Sequence, residues 1–453
     1  MTVQTETPRI NKLEHAPMGR LLFSLAIPMI VAQFVNVLYN IVDRIFIGRL
    51  PDGTLAMAGV GVSFPIIILI AAFSNLIGMG GAPLAAIKMG QKNNKGAEKI
   101  LGNAFTALIG ISIVLTIIFT IWKVPLLRLF GASDAIIGYA DSYLSIYVLG
   151  TICVQVSLGL NPFINTQGFT KIGMATVTIG AICNIVLDPI FIFGFGWGVQ
   201  GAAIATVLSQ LVSALWVCKF LTGKKTFLHI KKENLPLDIK ILLSIISLGI
   251  SPFIMASTEC VTLISLNTSL SRYGGDIAVG AMTIMLSIIQ FNNAPVMGLC
   301  QGAQPIIGYN YGAKNYERVK SAFKLLFKCC VTYSICFIGL VLLFPAFFVR
   351  IFNSDPELIA TTSLFIRVFF VGMLIFGAQI ACQQTFLALG KAKISLVLSC
   401  LRKIVLLVPL IWLLPHFFQD KVFAVLLAEP ISDVLATVTT TTCFYLFVKH
   451  INR

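Results

Sequence analysis

Twelve separate stretches of this chain are apolar for far longer than a buried strand or an ordinary core helix requires. They run at 22–47, 55–80, 100–122, 136–160, 173–195, 199–221, 241–268, 277–306, 321–346, 358–386, 394–415 and 421–447. About 20 consecutive apolar residues suffice to cross the hydrocarbon core of a bilayer as a helix. Strands of a membrane barrel are shorter and alternate in polarity, and these stretches do neither. The expected fold is therefore all-α and integral to the membrane, with 12 transmembrane helices. Composition agrees: 57% of the 453 residues are hydrophobic and only 11% are charged, against roughly 45–50% and about 25% in soluble domains. This excludes a soluble enzyme, a disordered chain and a nucleic-acid-binding domain, although the net charge is +15.

The positive charge has a direction. With the N-terminus placed in the cytoplasm, 23 of the 33 Lys and Arg fall in inner segments and six in outer loops. Cytoplasmic loops carry such an excess, so both termini are expected inside a cell (cytoplasmic) membrane crossed many times. The first apolar run is too long for a cleavable signal and is taken as the first span. The cysteines lie mostly within apolar runs at irregular spacing and are taken as small buried residues.

The longest polar stretch, 222–240, divides the spans into six and six. The halves resemble each other at an offset of 222: Gly80 with Gly302, Pro83 with Pro305, Gly90 with Gly312, Lys92 with Lys314, Asn93 with Asn315, Arg128 with Arg350, Gly150 with Gly372 and Gly168 with Gly390. Pro28 and Pro252 match at 224. An even number of spans per half makes the repeats parallel, and two such lobes around a central cleft are the layout of alternating-access transporters. The expected organisation is a cytoplasmic segment 1–20, a six-helix lobe 21–221, a basic cytoplasmic linker 222–240, a pseudo-symmetric six-helix lobe 241–447 and a cytoplasmic end 448–453. Pro28 and Pro252 are candidate hinges, because proline kinks a spanning helix.

Polar residues inside spans are costly and mark function by default. Span 1 carries Gln33, Asn36, Asn40 and Asp43 at spacings that place them on one helical face. Span 5 carries Asn184 and Asp188, four apart, followed by Pro189, which frees a backbone carbonyl. Carboxylate, amide and carbonyl oxygens suit Na⁺ or a bound proton. Asn161 ends span 4 nearby, either as a further ligand or as a helix cap. The bland alternatives are a surface pair between Asp43 and Arg44, and simple interhelical bonding by Asn184 and Asp188.

The second half is richer in amides: Gln290, Asn293, Met297 and Gln301 on span 8, Gln383 on span 10, and Glu259 with Met255 on span 7. Amides and methionines suit an adaptable surface for organic cations, and interhelical hydrogen bonding is the equal alternative. Tyr147 on span 4 is a further candidate. Arg402 and Lys403 on span 11, with Glu429 and Asp433 on span 12, read as internal ion pairs. No nucleotide-binding loop, zinc-protease motif or nucleophile elbow is present in the sequence, so the expectation is a chain that is not an enzyme, needs no cofactor, and draws on an ion gradient.

Asn40-Ile-Val-Asp43 after Pro28, the stretch Gly78–Gly90 continuing into Gln91-Lys92-Asn93, Asn184-Ile-Val-Leu-Asp188-Pro189-Ile-Phe-Ile-Phe-Gly, and Trp197-Gly-Val-Gln-Gly201-Ala-Ala together resemble the multidrug and toxic compound extrusion (MATE) family, in the DinF-like branch near the MepA type of exporter. The likeness covers about 20–447. It implies two six-helix bundles and export of cationic or amphipathic organic compounds in exchange for H⁺ or Na⁺. It also implies a cation-responsive site carried here by Asp43, Asn184 and Asp188, with Asn161 where the lobe often adds an amide. Asn165-Thr166-Gln167-Gly168 departs from the family pattern, which often has an Arg there. A monomer in the lipid bilayer, acting on small organic cations, is expected. The rival readings are a flippase for a lipid-linked precursor, a dedicated metabolite exporter, and a membrane-embedded enzyme.

Overall fold

The computed structural model describes residues 13–352 and 355–450, apart from the side chains of Asn40, Thr54, Cys260, Asp276 and Val279. The described residues are almost entirely helical, with no strand among them. In chain order the helices are α1 (Met18–Gly48), α2 (Gly53–Gly90), α3 (Asn94–Leu129), α4 (Ile137–Leu149 and Thr151–Thr166), α5 (Thr170–Pro189), α6 (Gly198–Thr222), α7 (Ile239–Gly275), α8 (Gly280–Gly312), α9 (Tyr316–Leu343), α10 (Pro356–Phe369 and Met373–Ala388), α11 (Ala392–His416) and α12 (Lys421–His450). Ten are long and apolar enough to cross a membrane by themselves, and counting the bent pairs of α4 and α10 as single spans makes twelve.

Every apolar run is matched by a helix, but the bounds differ, and several helices overrun their runs. α2 continues ten residues past position 80, to Gly90, and α3 starts at Asn94 and ends at Leu129. Hydropathy marks only the part of a helix that needs lipid. The polar ends are held by backbone bonds and caps that hydropathy does not register.

The repeat is visible as backbone geometry. Among the described residues, Lys92 and Lys314 are the two non-glycine residues with positive φ, at 58° and 59°. The next residue is a helix cap in both halves: Asn93 accepts from the Gly96 N–H and Asn315 from the Arg318 N–H. Gly168 and Gly390 both adopt positive φ, at 80° and 70°. α4 bends by 59° at Gly150 and α10 by 53° around Gly372, its counterpart. Neither bend is legible from hydropathy, because both flanks stay apolar.

By contacts the chain forms two compact units, one of Val31–Phe253 and one of His15–Ile30 with Ile254–Arg453. The cuts fall inside α1 and α7, just after Pro28 and Pro252, and not in the linker. In the first unit the start of α7 lies on α2, where Gly80 and Gly249 bring the backbones together; a Cβ on Gly249 would overlap the Leu76 carbonyl. In the second unit the start of α1 lies on α8, where Gly298 faces Ile30 and Gly302 faces Ala26. The repeat mates Gly80 and Gly302 thus perform the same service for opposite helices.

The linker is tied down. Gln167 Oε1 accepts from the Thr226 hydroxyl and from the Phe227 and Leu228 N–H groups at 2.8–3.0 Å. Glu98 pairs with Lys231 at 2.7 Å, and Asn103 accepts from the Asp238 N–H. In the turn that departs from the family pattern, the amide of Gln167 therefore acts as a clamp for the linker.

Candidate functional site

α1 and α5 bring their acids together inside the first unit. Asp43 is buried at 8% exposure, and Asn184 and Asp188 are fully buried. The carboxyl groups of Asp43 and Asp188 face each other. Asn184, one turn before Asp188, donates through Nδ2 to Asp188 Oδ1 at 3.3 Å and to Thr206 Oγ1 of α6 at 3.3 Å. Three oxygens are left without a hydrogen-bonding partner among the described residues: Asp43 Oδ1, Asp188 Oδ2 and Asn184 Oδ1.

Local sequence explains the placement. Asp188 precedes Pro189, whose missing N–H cannot continue the i→i−4 ladder. The helix passes into a π turn over Ile190–Gly194. Such turns recur at functional sites, because they re-aim side chains and loosen the backbone. Arg44, next to Asp43, does not form a surface pair with it: its guanidinium lies 4.9 Å over the Phe64 ring, and the side chain is exposed. Neighbours in sequence on a helix point about 100° apart, which is the reason.

A tyrosine wall closes the site. Tyr39 lies within electrostatic reach of Asp43, Asp188 and Tyr147, and Tyr143 within reach of Asp43 and Tyr39. Tyr143 and Tyr147 stack with centroids 6.1 Å apart, and both are buried. Sequence reasoning named Tyr147 for the substrate cleft and did not assign Tyr39, Tyr143 or Thr206 to this site. Tyr39 was detectable, standing four residues before Asp43 on the same face. Thr206 was not, since nothing in α6 alone sets it apart.

Asn161 is a correction. It does not join the acids; its Nδ2 donates to the Gly173 carbonyl at 3.3 Å. Gly173 and Asp188 are separated by 15 positions on α5, which at about 1.5 Å per residue is some 22 Å along the helix. Asn161 ties α4 to the start of α5. Gln383 is a second correction. It is buried, and its Nε2 donates to the Ser395 carbonyl and to the Ser395 and Ser399 hydroxyls at 2.8–2.9 Å. It locks α10 to α11, the interhelical role that an amide takes when no water reaches it.

The other candidates differ in exposure. Asn36 and Gln290 are exposed, and Gln33, Met255, Asn293, Met297 and Gln301 are half-buried. Asn293 accepts from Asn292 at 3.3 Å. The Asn40 side chain lies outside the described residues. Glu259 is exposed at 62%, yet Lys403 donates to its Oε2 at 2.9 Å. No group of three or more His, Cys, Asp or Glu able to hold a metal ion occurs among the described residues.

Paired repeats of membrane helices, with a buried acid pair inside one of them, define a multi-pass membrane transporter. The comparisons with known proteins make this specific. The MatE family profile matches residues 28–190 and 251–413, one segment in each half, and the chain belongs to that family. It is 25% identical over 416 residues to the multidrug export protein MepA of Staphylococcus saprophyticus, covering 91% of each chain. A MATE transporter solved in a bent conformation superposes with a TM-score of 0.92 at 22% identity, over 98% of both chains. An outward-facing multidrug resistance MATE family transporter superposes equally well, at 23% identity over 99% of both.

Proposed function

We propose that this protein is a secondary-active antiporter of the cytoplasmic membrane. It exports cationic or amphipathic organic compounds by alternating access, in exchange for H⁺ or Na⁺, with both termini in the cytoplasm. The observation that carries this reading is the Asp43–Asp188 pair with its three unpartnered oxygens. Two like unit charges at about 4 Å repel by about 4 kcal/mol at an effective dielectric near 20. Such a pair is stable only when a positive charge joins it. A proton on either carboxyl satisfies this, and so does a hard cation, since carboxylate and amide oxygens are its natural donors.

Entry of the cation removes the repulsion and draws α1 and α5 together. Return to the inner side, where the cation concentration is lower, releases it. An ion shifts a conformational equilibrium only by its differential affinity for the two states, and the Asp43 environment is the natural place for that difference. Pro28 lies within α1, two residues before the position where the helix changes unit, and Pro252 stands at the same point of α7. We assign them as hinges. The relatives' names add support for the substrate class, MepA being a multidrug export protein. Gln33, Asn36, Met255, Glu259, Gln290, Asn293, Met297, Gln301 and Tyr147 are the proposed substrate contacts.

The test is transport of a fluorescent organic cation by purified protein in liposomes, under separate H⁺ and Na⁺ gradients. One gradient should drive wild-type transport, and Asp43→Asn or Asp188→Asn should abolish the response to it. Full gradient-driven transport by both variants would sink the assignment.

A further inference from the structure

A second group of buried charges lies in the other unit. Arg402 and Lys403 project from the π turn Leu401–Leu407 of α11. Arg402 Nε donates to Asp433 Oδ1 at 2.9 Å and Nη2 to Glu429 Oε1 at 3.0 Å, while the guanidinium lies 4.1 Å over the Phe376 ring of α10. Lys403 is matched one to one with Glu259. Arg402 therefore serves two carboxylates alone. The two acids are one helical turn apart on α12, and Glu429 is 8% exposed and Asp433 0%. Glu429 Oε2 and Asp433 Oδ2 are buried with no hydrogen-bonding partner among the described residues.

The count does not balance. Glu259 and Lys403 cancel. Arg402 offsets one of Glu429 and Asp433, and one negative charge is left over. The ionised side chains that act on these two acids are Arg402 and Lys403 from α11 on both, and Glu259 from α7 and Asp433 from α12 on Glu429; α10 presents Phe376 and Gly372 to the group, both uncharged. A buried charge with neither a partner nor water is avoided by neutralisation. A metal cation would have to share the site with a guanidinium and an ammonium. A proton needs only one free carboxylate oxygen, and two are present.

We propose that Glu429 and Asp433 carry one proton between them, forming a second proton-binding site in the C-terminal unit, with Arg402 as the fixed counter-charge. Protonated, the group is neutral; on release it presents one uncompensated negative charge. The site stands independently of the role given to Asp43 and Asp188, and its test is run with both replaced.

The full-length protein carrying Asp43→Asn and Asp188→Asn is reconstituted in lipid. The C=O stretching band of neutral carboxylic acid is then recorded by infrared difference spectroscopy at neutral pH, with hydrogen–deuterium exchange to identify it. The band should be present. Adding Glu429→Gln, or Asp433→Asn, balances Arg402 with a single carboxylate and should remove it. Adding Arg402→Gln leaves two carboxyls without a base and should enlarge it. An unfolded variant would expose its acids, ionise them and lose the band, so the enlargement cannot come from unfolding. Exchanging Na⁺ for K⁺ should leave the band unchanged. Its absence in the parent variant, its survival in both Glu429→Gln and Asp433→Asn, its failure to grow in Arg402→Gln, or its suppression by Na⁺ would each overturn the proposal.

Discussion

The two halves share a backbone and differ in chemistry. The α5 and α11 helices both carry a π turn beside a proline, Ile190–Gly194 after Pro189 and Leu401–Leu407 before Pro409. In the N-terminal unit that distortion accompanies Asp188; in the C-terminal unit it accompanies Arg402 and Lys403. The ionisable residues of these two buried groups have no ionisable counterparts across the repeat. Asp188 corresponds to Leu410 at the offset of 222, and Asp43 to Asn267 at 224. Glu429, Asp433 and Arg402 correspond to Val207, Leu211 and Gly180. The positions that repeat fix φ, cap helices or permit close approach, and both halves need them for the same steric reasons. The buried charges do not repeat, so the same frame holds an acid pair without an adjoining ion-paired base in one unit and a mixed acid–base group in the other.

This contrast can be broken. Replacing Asp43 or Asp188 by Asn should eliminate ion-driven transport, a loss well beyond tenfold, where each tenfold step corresponds to about 1.4 kcal/mol. Asn267→Ala, at the matching place in the other half, should leave it largely intact in the same vesicle assay. Equal losses would show that the halves are functionally equivalent after all.

The mixed group should be sensitive in stability. Arg402→Gln strips the buried Glu429 and Asp433 carboxyl groups of their base, and removing one partner of a buried pair costs about 3–5 kcal/mol. Thermal unfolding of the detergent-solubilised protein should show it. The triple variant Arg402→Gln, Glu429→Gln, Asp433→Asn should recover most of the loss, because it removes the charges as well as their partner. No recovery would mean that Arg402 acts through packing on Phe376.

Where the halves are alike, matched substitutions should have matched effects. Gly80→Val and Gly302→Val force side chains into the backbones of α7 and α1, and overpacking of this kind costs about 1–3 kcal/mol. Melting curves of the two variants should shift by similar amounts; a shift in only one would limit the symmetry to appearance. The smallest effect is a gain. Lys314 adopts φ 59°, a region costly for residues with a Cβ, so Lys314→Gly should stabilise by about 0.5–1 kcal/mol.

Hydropathy and spacing determined by themselves that the chain crosses a membrane, that its helices number about twelve, and that it is duplicated. Each of these depends on local content: apolar length, and Gly, Pro and Asn at fixed offsets. Asp43, Asn184 and Asp188 were legible for the same reason, as polar side chains at helical spacing where lipid forbids them. Tertiary structure alone decided what each polar side chain meets. It sent Asn161 to Gly173 and Gln383 to Ser395 and Ser399, and brought Tyr39, Tyr143 and Thr206 around the acids. It also passed the starts of α1 and α7 to opposite units, and left Arg402 between two carboxylates. A sequence displays the cost of a buried polar group, but its partner comes from a helix far along the chain, and only packing selects which one.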